Sequence, residues 1–302
     1  MPPISHAAAV DHVLRLSSGR RLGYAVYGDP DGVPVLNCHG GLLGRLDVEL
    51  ADEDARALGI CIISPDRPGI GLSDRAPGHA TVDWTDDVRQ LVDQLGVDRF
   101  GVMGWSLGGQ YALAVAARLP DRVTRTAVIA GCIPLDDPVA YSQLSGSDRH
   151  LARLSTRAKP AARAAFATLA RLARHQPKRF AKLSSRDVCP SDQAVFLAQS
   201  EWFSRALADA LQDPRGEVDD YLAMIAPWGF EPEDVTGPVD LWQADDDTLV
   251  PAQWAVELKR RIPQARLTTI PGEGHLIAVT RRRQIMAALI EPVDPTPDPT
   301  PA

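Results

Sequence analysis

A serine between two glycines is the feature of this sequence that most clearly suggests chemistry. In Gly104-Trp105-Ser106-Leu107-Gly108, this serine follows an apolar, strand-like segment (100–103) and precedes a run of good helix formers (110–118). A serine at such a strand-to-helix junction is typical of a nucleophile elbow, where a tight, strained turn exposes the hydroxyl. The glycines would occupy the crowded positions of that turn. We therefore predict that Ser106 is a nucleophile; the alternative is a glycine-rich turn with an idle serine.

A serine hydroxyl reacts at neutral pH only with a base in reach, and that base needs an orienting partner. Of the seven histidines, His275 stands out because it ends a glycine-rich loop, Pro271-Gly272-Glu273-Gly274-His275, after a strand-like segment. Such a loop would carry an imidazole over the end of a sheet, where ligands bind in doubly wound folds. The alternative is a loop histidine that bonds only to backbone.

Three consecutive aspartates, Asp245, Asp246 and Asp247, follow another strand-like segment (239–243). One carboxylate here would accept the Nδ1–H of His275 and hold the ring in the tautomer that acts as a base. Periodicity does not say which of the three has this role, and the other two would be solvated turn residues.

These residues require a framework, and the chain shows a regular alternation of short apolar segments with helical ones. The predicted strands are 13–16 and 21–27, forming a hairpin, and 34–38, 60–64, 100–103, 126–130, 239–243 and 265–270. The predicted helices are 48–58, 82–95, the elbow helix, 252–261 and 278–290. Short apolar strands alternating with helices indicate a mostly parallel sheet covered on both faces.

The alternation stops in the middle of the chain, where only helical periodicity is found. We predict a helical cap over residues 134–235, inserted into a core of residues 1–133 and 236–291. Residues 292–302 alternate proline with aspartate and threonine, and we expect them to be disordered. Ten apolar residues of the cap are candidates for an acyl pocket, although most must pack the cap itself: Leu151, Leu154, Phe166, Leu169, Leu172, Phe196, Trp202, Phe203, Met224 and Trp228.

The order Ser106, Asp247, His275 resembles the α/β-hydrolase superfamily. The resemblance covers about residues 13–133 and 236–291. It is carried by His39-Gly40-Gly41, Asp66-Arg67-Pro68-Gly69-Ile70-Gly71-Leu72-Ser73-Asp74, the GWSLGG elbow, the stretch 244–251 and Gly272-Glu273-Gly274-His275. It implies a doubly wound, mostly parallel, eight-stranded sheet with an inserted helical cap.

The resemblance also bears on the acid, which in this family commonly lies in a G-x-x-D-x-x-V-P pattern. Laid on residues 244–251, the pattern selects Asp247. Ala244 stands in place of the glycine, which leaves Asp245 as an alternative. Some relatives take the acid from the end of the strand after the elbow helix, which makes Asp136 or Asp137 the reserve candidates.

The resemblance places the oxyanion hole at the backbone N–H groups of Gly41 and Leu107. Gly40 lets the backbone approach the substrate, and Leu42 and Trp105 adjoin the hole and the nucleophile, so we expect all three to bind substrate.

Three further charged residues lie in the segments that carry the resemblance. Arg45 resembles an arginine often found near the His39-Gly40-Gly41 loop, but a surface ion pair explains it equally well. Arg67 and Asp74 are expected to lock their own turn and not to touch substrate.

The implied function is a serine hydrolase that acts on a small or medium apolar carboxylic ester or lactone through an acyl-enzyme, with no metal or organic cofactor. The alternatives are a carbon–carbon bond hydrolase, a thioesterase, a perhydrolase, a natural-product accessory enzyme or, from another class, a non-catalytic small-molecule receptor. Ser106 argues against epoxide hydrolases and haloalkane dehalogenases of this fold, which carry aspartate at the elbow. Asp66-Arg67-Pro68-Gly69 argues against a proline iminopeptidase, where Asp-Gln-Arg-Gly is usual.

Charge and composition argue against some classes of binding partner. The 302 residues carry a net charge of −7, which argues against nucleic acid and anionic membranes. Four widely spaced cysteines form no CxxC pair, and the first residues show no secretion signal, so we expect a cytoplasmic protein with buried thiols. The expected partner is a small-molecule substrate, and the residues leave open whether the chain forms a homodimer.

Charge is unevenly distributed in the predicted cap. Residues 149–186 contain eleven Lys or Arg and no Asp or Glu, whereas the later part of the cap is acidic. A basic lip that attracts acidic substrates would explain this pattern. We favour the alternative, in which the charged helical faces pair with one another or with solvent.

Overall fold

A single eight-stranded sheet organises the computed structural model, which describes residues 11–291. The strands are β1 (Asp11–Arg15), β2 (Arg21–Gly28), β3 (Val33–Cys38), β4 (Ile60–Pro65), β5 (Phe100–Trp105), β6 (Val123–Ile129), β7 (Val239–Ala244) and β8 (Arg266–Ile270). Their order across the sheet is β1-β2-β4-β3-β5-β6-β7-β8. Strand β2 is antiparallel to both its neighbours, and the other strands are parallel. The predicted fold class is confirmed.

Helices that belong to the sheet layer cover both faces. They are α1 (Asp52–Ala57), α2 (Trp84–Gln94), α3 (Gly108–Arg118), α11 (Ala252–Arg261), α12 (Ile277–Thr280) and α13 (Arg282–Ile290). Helices α1 and α13 contact each other, α2 contacts α3, and α11 packs on β7 and β8. Strands β4, β5 and β7 are buried along their whole length, as expected for strands covered on both sides.

Seven helices lie between β6 and β7, and no strand interrupts them in this fully described part of the chain. They are α4 (Pro138–Gln143), α5 (Gly146–Arg157), α6 (Lys159–His175), α7 (Pro177–Ser184), α8 (Pro190–Ala198), α9 (Ser200–Ala210) and α10 (Pro214–Met224). Helix α6 is central to this insertion, because it packs against α5, α7, α9 and α10.

Two predicted helices differ in detail from the structure. The segment predicted as one helix over 48–58 is a 3-10 turn (Glu49–Ala51) followed by the short helix α1. The segment predicted over 278–290 is divided into α12 and α13, and Glu273 bonds to both Thr280 and Arg281 at the break. The predicted disordered tail, 292–302, lies outside the described residues.

No helix within residues 11–291 combines the length and the apolar character that crossing a bilayer requires. Over the same residues, no three histidine, cysteine, aspartate or glutamate side chains gather as metal ligands would.

Candidate active site

Ser106 occupies a sharp turn between β5 and α3. Its φ of 56° lies in the left-handed region, which is unfavourable for a residue with a side chain, so the backbone is strained as the sequence predicts. A Cβ on Gly104 would collide with the carbonyl of Gly108, and one on Gly108 would collide with the carbonyl of Cys38. The two glycines are therefore required by close backbone contacts. Ser106 stands at the positive end of helix α3.

His275 and Asp247 form a hydrogen-bonded pair, with Nδ1 of the ring 2.9 Å from Oδ2 of the carboxylate. Oδ1 of Asp247 accepts the backbone N–H groups of Leu249 and Val250, at 2.8 and 2.9 Å. These backbone contacts fix the carboxylate, whose side chain is fully buried. Because Nδ1 donates to Asp247, the other ring nitrogen, Nε2, is left as the one that can accept a proton.

The other acid candidates lie elsewhere. Asp245 accepts the backbone N–H of Gly272 and so braces the start of the histidine loop. Asp137 caps helix α4 by accepting the N–H groups of Val139 and Ala140. The structure brings Asp247 to His275, as the resemblance implies.

The charges of the pair alter both pKa values. Burial lowers the pKa of His275, but the nearby Asp247 carboxylate outweighs it and the net pKa is raised. Burial raises the pKa of Asp247, but the imidazole and the two backbone N–H groups lower it by more than burial raises it. The net pKa of Asp247 is therefore depressed. The pair thus favours an ionised carboxylate and stabilises an imidazolium.

The loop that carries Gly40, Gly41 and Leu42 lies beside the elbow. Leu42 has a φ of 60°, a second strained position next to the candidate site. Among residues 11–291, no protein acceptor takes the backbone N–H of Gly41 or that of Leu107. Both residues line the same cavity as Ser106. Two free N–H donors next to a serine are what an oxyanion hole needs.

The Arg67 side chain supports the loop that carries Gly40, Gly41 and Leu42, and its contacts therefore extend beyond its own turn. The fully buried guanidinium donates to the carbonyls of His39 and Gly40 and pairs with Asp220 of helix α10, at 2.8 Å. His39 accepts the backbone N–H of Arg67 at Nε2, and burial, together with Arg67, lowers the pKa of His39 to about 3. His39 is therefore a neutral structural residue.

Two buried acids complete the support of the loop. Asp47 accepts the backbone N–H of Gly40 at 3.2 Å, and burial raises its pKa to about 7. Glu217 of helix α10 accepts the backbone N–H of Leu42 at 3.2 Å, and burial likewise raises its pKa. The insertion thus contacts the candidate oxyanion loop directly.

Arg45 and Asp74 have structural contacts. Arg45 is 2% exposed and forms ion pairs with Asp11, Asp66 and Asp209, so it is a buried pairing residue and not a surface one. Asp74 pairs with Arg21 at 2.8 Å near the protein surface.

A cavity of about 220 Å³ lies between the sheet and the insertion. Seven of the eight predicted site residues line it, and Asp247 lies behind His275: the seven are Gly40, Gly41, Leu42, Trp105, Ser106, Leu107 and His275. Trp105 also donates its indole N–H to the carbonyl of His275, at 3.0 Å. In the described chain, no hydrogen bond joins the Ser106 hydroxyl to the imidazole. Hydrogen bonds between a nucleophile and its base often form fully only when substrate is bound.

The wall opposite the sheet is mostly apolar. Of the ten apolar cap candidates, four line the cavity: Leu169, Phe196, Phe203 and Met224. Sequence reasoning missed Phe180, Asp148 and Tyr221, which also line it, and Tyr221 donates to Asp148 at 2.8 Å. No lysine or arginine is among the lining residues that the structure describes.

The family is shown by comparison with known proteins. The α/β hydrolase fold family matches residues 33–281. The chain therefore belongs to the α/β hydrolase fold family.

Relatives cover most of this chain. It is 25% identical over 244 residues to a protein named "Putative carbamate hydrolase RutD" from Caulobacter sp. (strain K31), covering 76% of this chain and 79% of that protein. A thermophilic esterase from Thermogutta terrifontis has a TM-score of 0.67 at 23% identity, over 93% of this chain and 97% of that one. An enol-lactonase from Burkholderia xenovorans LB400 has a TM-score of 0.66 at 18% identity, over 92% and 99% of the two chains. At these identities, the two structures establish a shared fold.

Proposed function

We propose that this protein is a serine hydrolase that cleaves small or medium apolar carboxylic esters or lactones through an acyl-enzyme on Ser106. One observation carries the proposal: Ser106, on a strained backbone, shares a cavity with His275, whose ring is hydrogen-bonded to the buried Asp247. Nucleophile, base and orienting carboxylate are the three parts that acyl transfer by serine requires.

The proposed reaction has two halves, formation of the acyl-enzyme and its hydrolysis, and the same residues act in both. Nε2 of His275 takes the proton of Ser106 while the serine oxygen attacks the carbonyl carbon. The N–H groups of Gly41 and Leu107 stabilise the oxyanion that forms, each by about 3–4 kcal/mol. His275 then gives the proton to the departing alcohol, leaving the acyl-enzyme. Water, activated by the same imidazole, releases the acid and restores Ser106. No metal or organic cofactor has a role in these steps.

The cavity supports the proposed substrate class. The cavity of about 220 Å³ has predominantly apolar walls, which suit an apolar acyl compound. Esterases and a lactonase share the fold, which is consistent with this substrate class. As part of the proposal we place the enzyme in the cytoplasm, because all four cysteines are unpaired and buried.

Covalent labelling tests the proposal at the level of a single residue. Treatment with a fluorophosphonate and peptide mass spectrometry is expected to locate the adduct on Ser106, and Ser106→Ala is expected to abolish labelling. A panel of p-nitrophenyl esters, lactones, thioesters and carbamates then identifies the acyl class. Folded protein that neither labels at Ser106 nor hydrolyses any member of the panel would refute the proposal and favour a non-catalytic small-molecule receptor.

A further inference from the structure

The histidine loop is held by a residue of the helical insertion. Asp192, on helix α8, accepts the backbone N–H of His275 at Oδ2 and that of Leu276 at Oδ1, both at 2.8 Å. Asp192 is 1% exposed, so water does not compete for these two bonds. One carboxylate thus satisfies two consecutive N–H groups that precede helix α12 and have no partner in that helix.

The contact between Asp192 and the histidine loop requires a glycine at position 274. A Cβ on Gly274 would collide with the carboxylate of Asp192 and with the sulfur of Cys189, also at the start of α8. Helix α8 therefore packs directly on the backbone that precedes His275. On the other side of the loop, Trp105 bonds to the carbonyl of His275. The backbone of this one residue is fixed from both the insertion and the elbow.

We propose that Asp192 is a positioning residue: through its two backbone hydrogen bonds, docking of helix α8 sets the place of the His275 imidazole relative to Ser106. This inference rests on the proposed function of His275 as the base. It follows that α8 cannot move away from the loop without releasing the base, so any opening of the cavity must occur elsewhere in the insertion.

Asp192→Asn is compared with the control variant Asp137→Asn. Asp137 also accepts two backbone N–H groups, at 2.8 and 2.9 Å, but both at its Oδ1, at the start of α4 and without contact to the histidine loop. An asparagine at position 137 can therefore keep both bonds, whereas at position 192, where each oxygen accepts one bond, it can keep only one. At position 192 its amide N–H₂ would face a backbone N–H, and the loop must shift.

The expected result separates the effect on the histidine loop from the general effect of changing a carboxylate to an amide. With a neutral p-nitrophenyl ester, Asp192→Asn should lower kcat by about 10- to 100-fold with little change in KM, because a displaced base slows proton transfer. Asp137→Asn should leave kcat within about twofold. Equal kcat losses in the two variants, or an unchanged kcat in folded Asp192→Asn, would overturn the inference.

A second readout does not depend on turnover. Three carboxylates raise the pKa of His275 against the effect of burial: Asp247 after β7, Asp192 on α8 and Asp148 on α5. Titration of the imidazole signals by ¹H–¹⁵N NMR should show a lower His275 pKa in Asp192→Asn and no change in Asp137→Asn. An unchanged titration would contradict the inference even if no substrate is ever found, whereas failure of Ser106 to label would refute only the proposed function.

Discussion

Replacing Asp247 by asparagine tests the arrangement of the candidate site most sharply, because the structure assigns a separate task to each carboxylate oxygen. Oδ1 accepts the N–H groups of Leu249 and Val250, and Oδ2 accepts Nδ1–H of His275. In the Asp247→Asn variant, the amide oxygen of the new side chain can keep both backbone bonds. The amide N–H₂ group then faces Nδ1 and donates to it, which drives the proton of the ring to Nε2.

The magnitude follows from this tautomer change. An imidazole protonated at Nε2 cannot take the proton of Ser106, and a change of this kind in a serine triad costs about 10⁴-fold in kcat. Stability should fall by about 1 kcal/mol, since the two backbone bonds survive, the bond to His275 becomes one between neutral groups, and the 3.4 Å contact from Nε2 of Gln243 to Oδ2 is lost. Hydrolysis of a p-nitrophenyl ester and urea unfolding measure the two quantities on the same preparation.

Asp245→Asn is the matched control, because Asp245 lies two residues away and accepts only the N–H of Gly272. It should retain kcat within about twofold, since an amide oxygen can accept that bond. If Asp245→Asn lost as much activity as Asp247→Asn, or if Asp247→Asn lost less than about tenfold while folded, the assignment of the acid would be wrong.

Three further outcomes are expected. The acid limb of kcat/KM for a neutral ester should have its midpoint above the ordinary histidine pKa of about 6.5, since Asp247 raises the pKa of His275 and the protonated ring cannot act as a base. A midpoint at or below that ordinary value would contradict this. Gly108→Ala should destabilise the fold by about 1–3 kcal/mol or more in urea unfolding, because its Cβ collides with the Cys38 carbonyl, whereas Gly146→Ala, with open space around it, should not. Asp148→Asn should increase kcat/KM for an ester with an anionic acyl chain by about tenfold, because the cavity wall then loses a carboxylate. The kcat/KM for the neutral isostere of that ester should change less. Equal changes for both esters would refute this role of Asp148.

Sequence reasoning located the parts of the site that depend on local structure. The elbow around Ser106 is visible because the strand, the glycines and the helix are adjacent in the chain. The parallel sheet follows from the alternation of strands and helices, and the carboxyl ends of its strands bring distant loops together. That geometry accounts for the meeting of Asp247 and His275, which are 28 residues apart.

The contacts between the insertion and the sheet layer were beyond such reasoning. Asp192 lies two residues after Pro190, in the first turn of a helix, so its sequence context resembles that of an ordinary first-turn residue. Its bonds to a loop 83 residues away depend on how α8 is oriented, and no periodicity encodes that orientation. The pairing of Arg67 with Asp220 could not be predicted for the same reason, since Asp220 lies 153 residues further along the chain.

The insertion therefore does more than cover the cavity. Three of its buried acidic side chains reach three different parts of the candidate machinery. Asp192 binds the histidine loop, Glu217 binds the backbone of Leu42, and Asp220 binds Arg67, which in turn donates to the carbonyl of Gly40. Removing one partner of a buried polar contact leaves the other unsatisfied, so these links oppose separation of α8 and α10 from the sheet. Helices α5 to α7, which also border the cavity, have no comparable link to Ser106, His275 or Gly41 in the part of the chain that the structure describes. Because α6 packs against α9 and α10, and Tyr221 of α10 donates to Asp148 of α5, the links made by α10 also restrain α5 and α6.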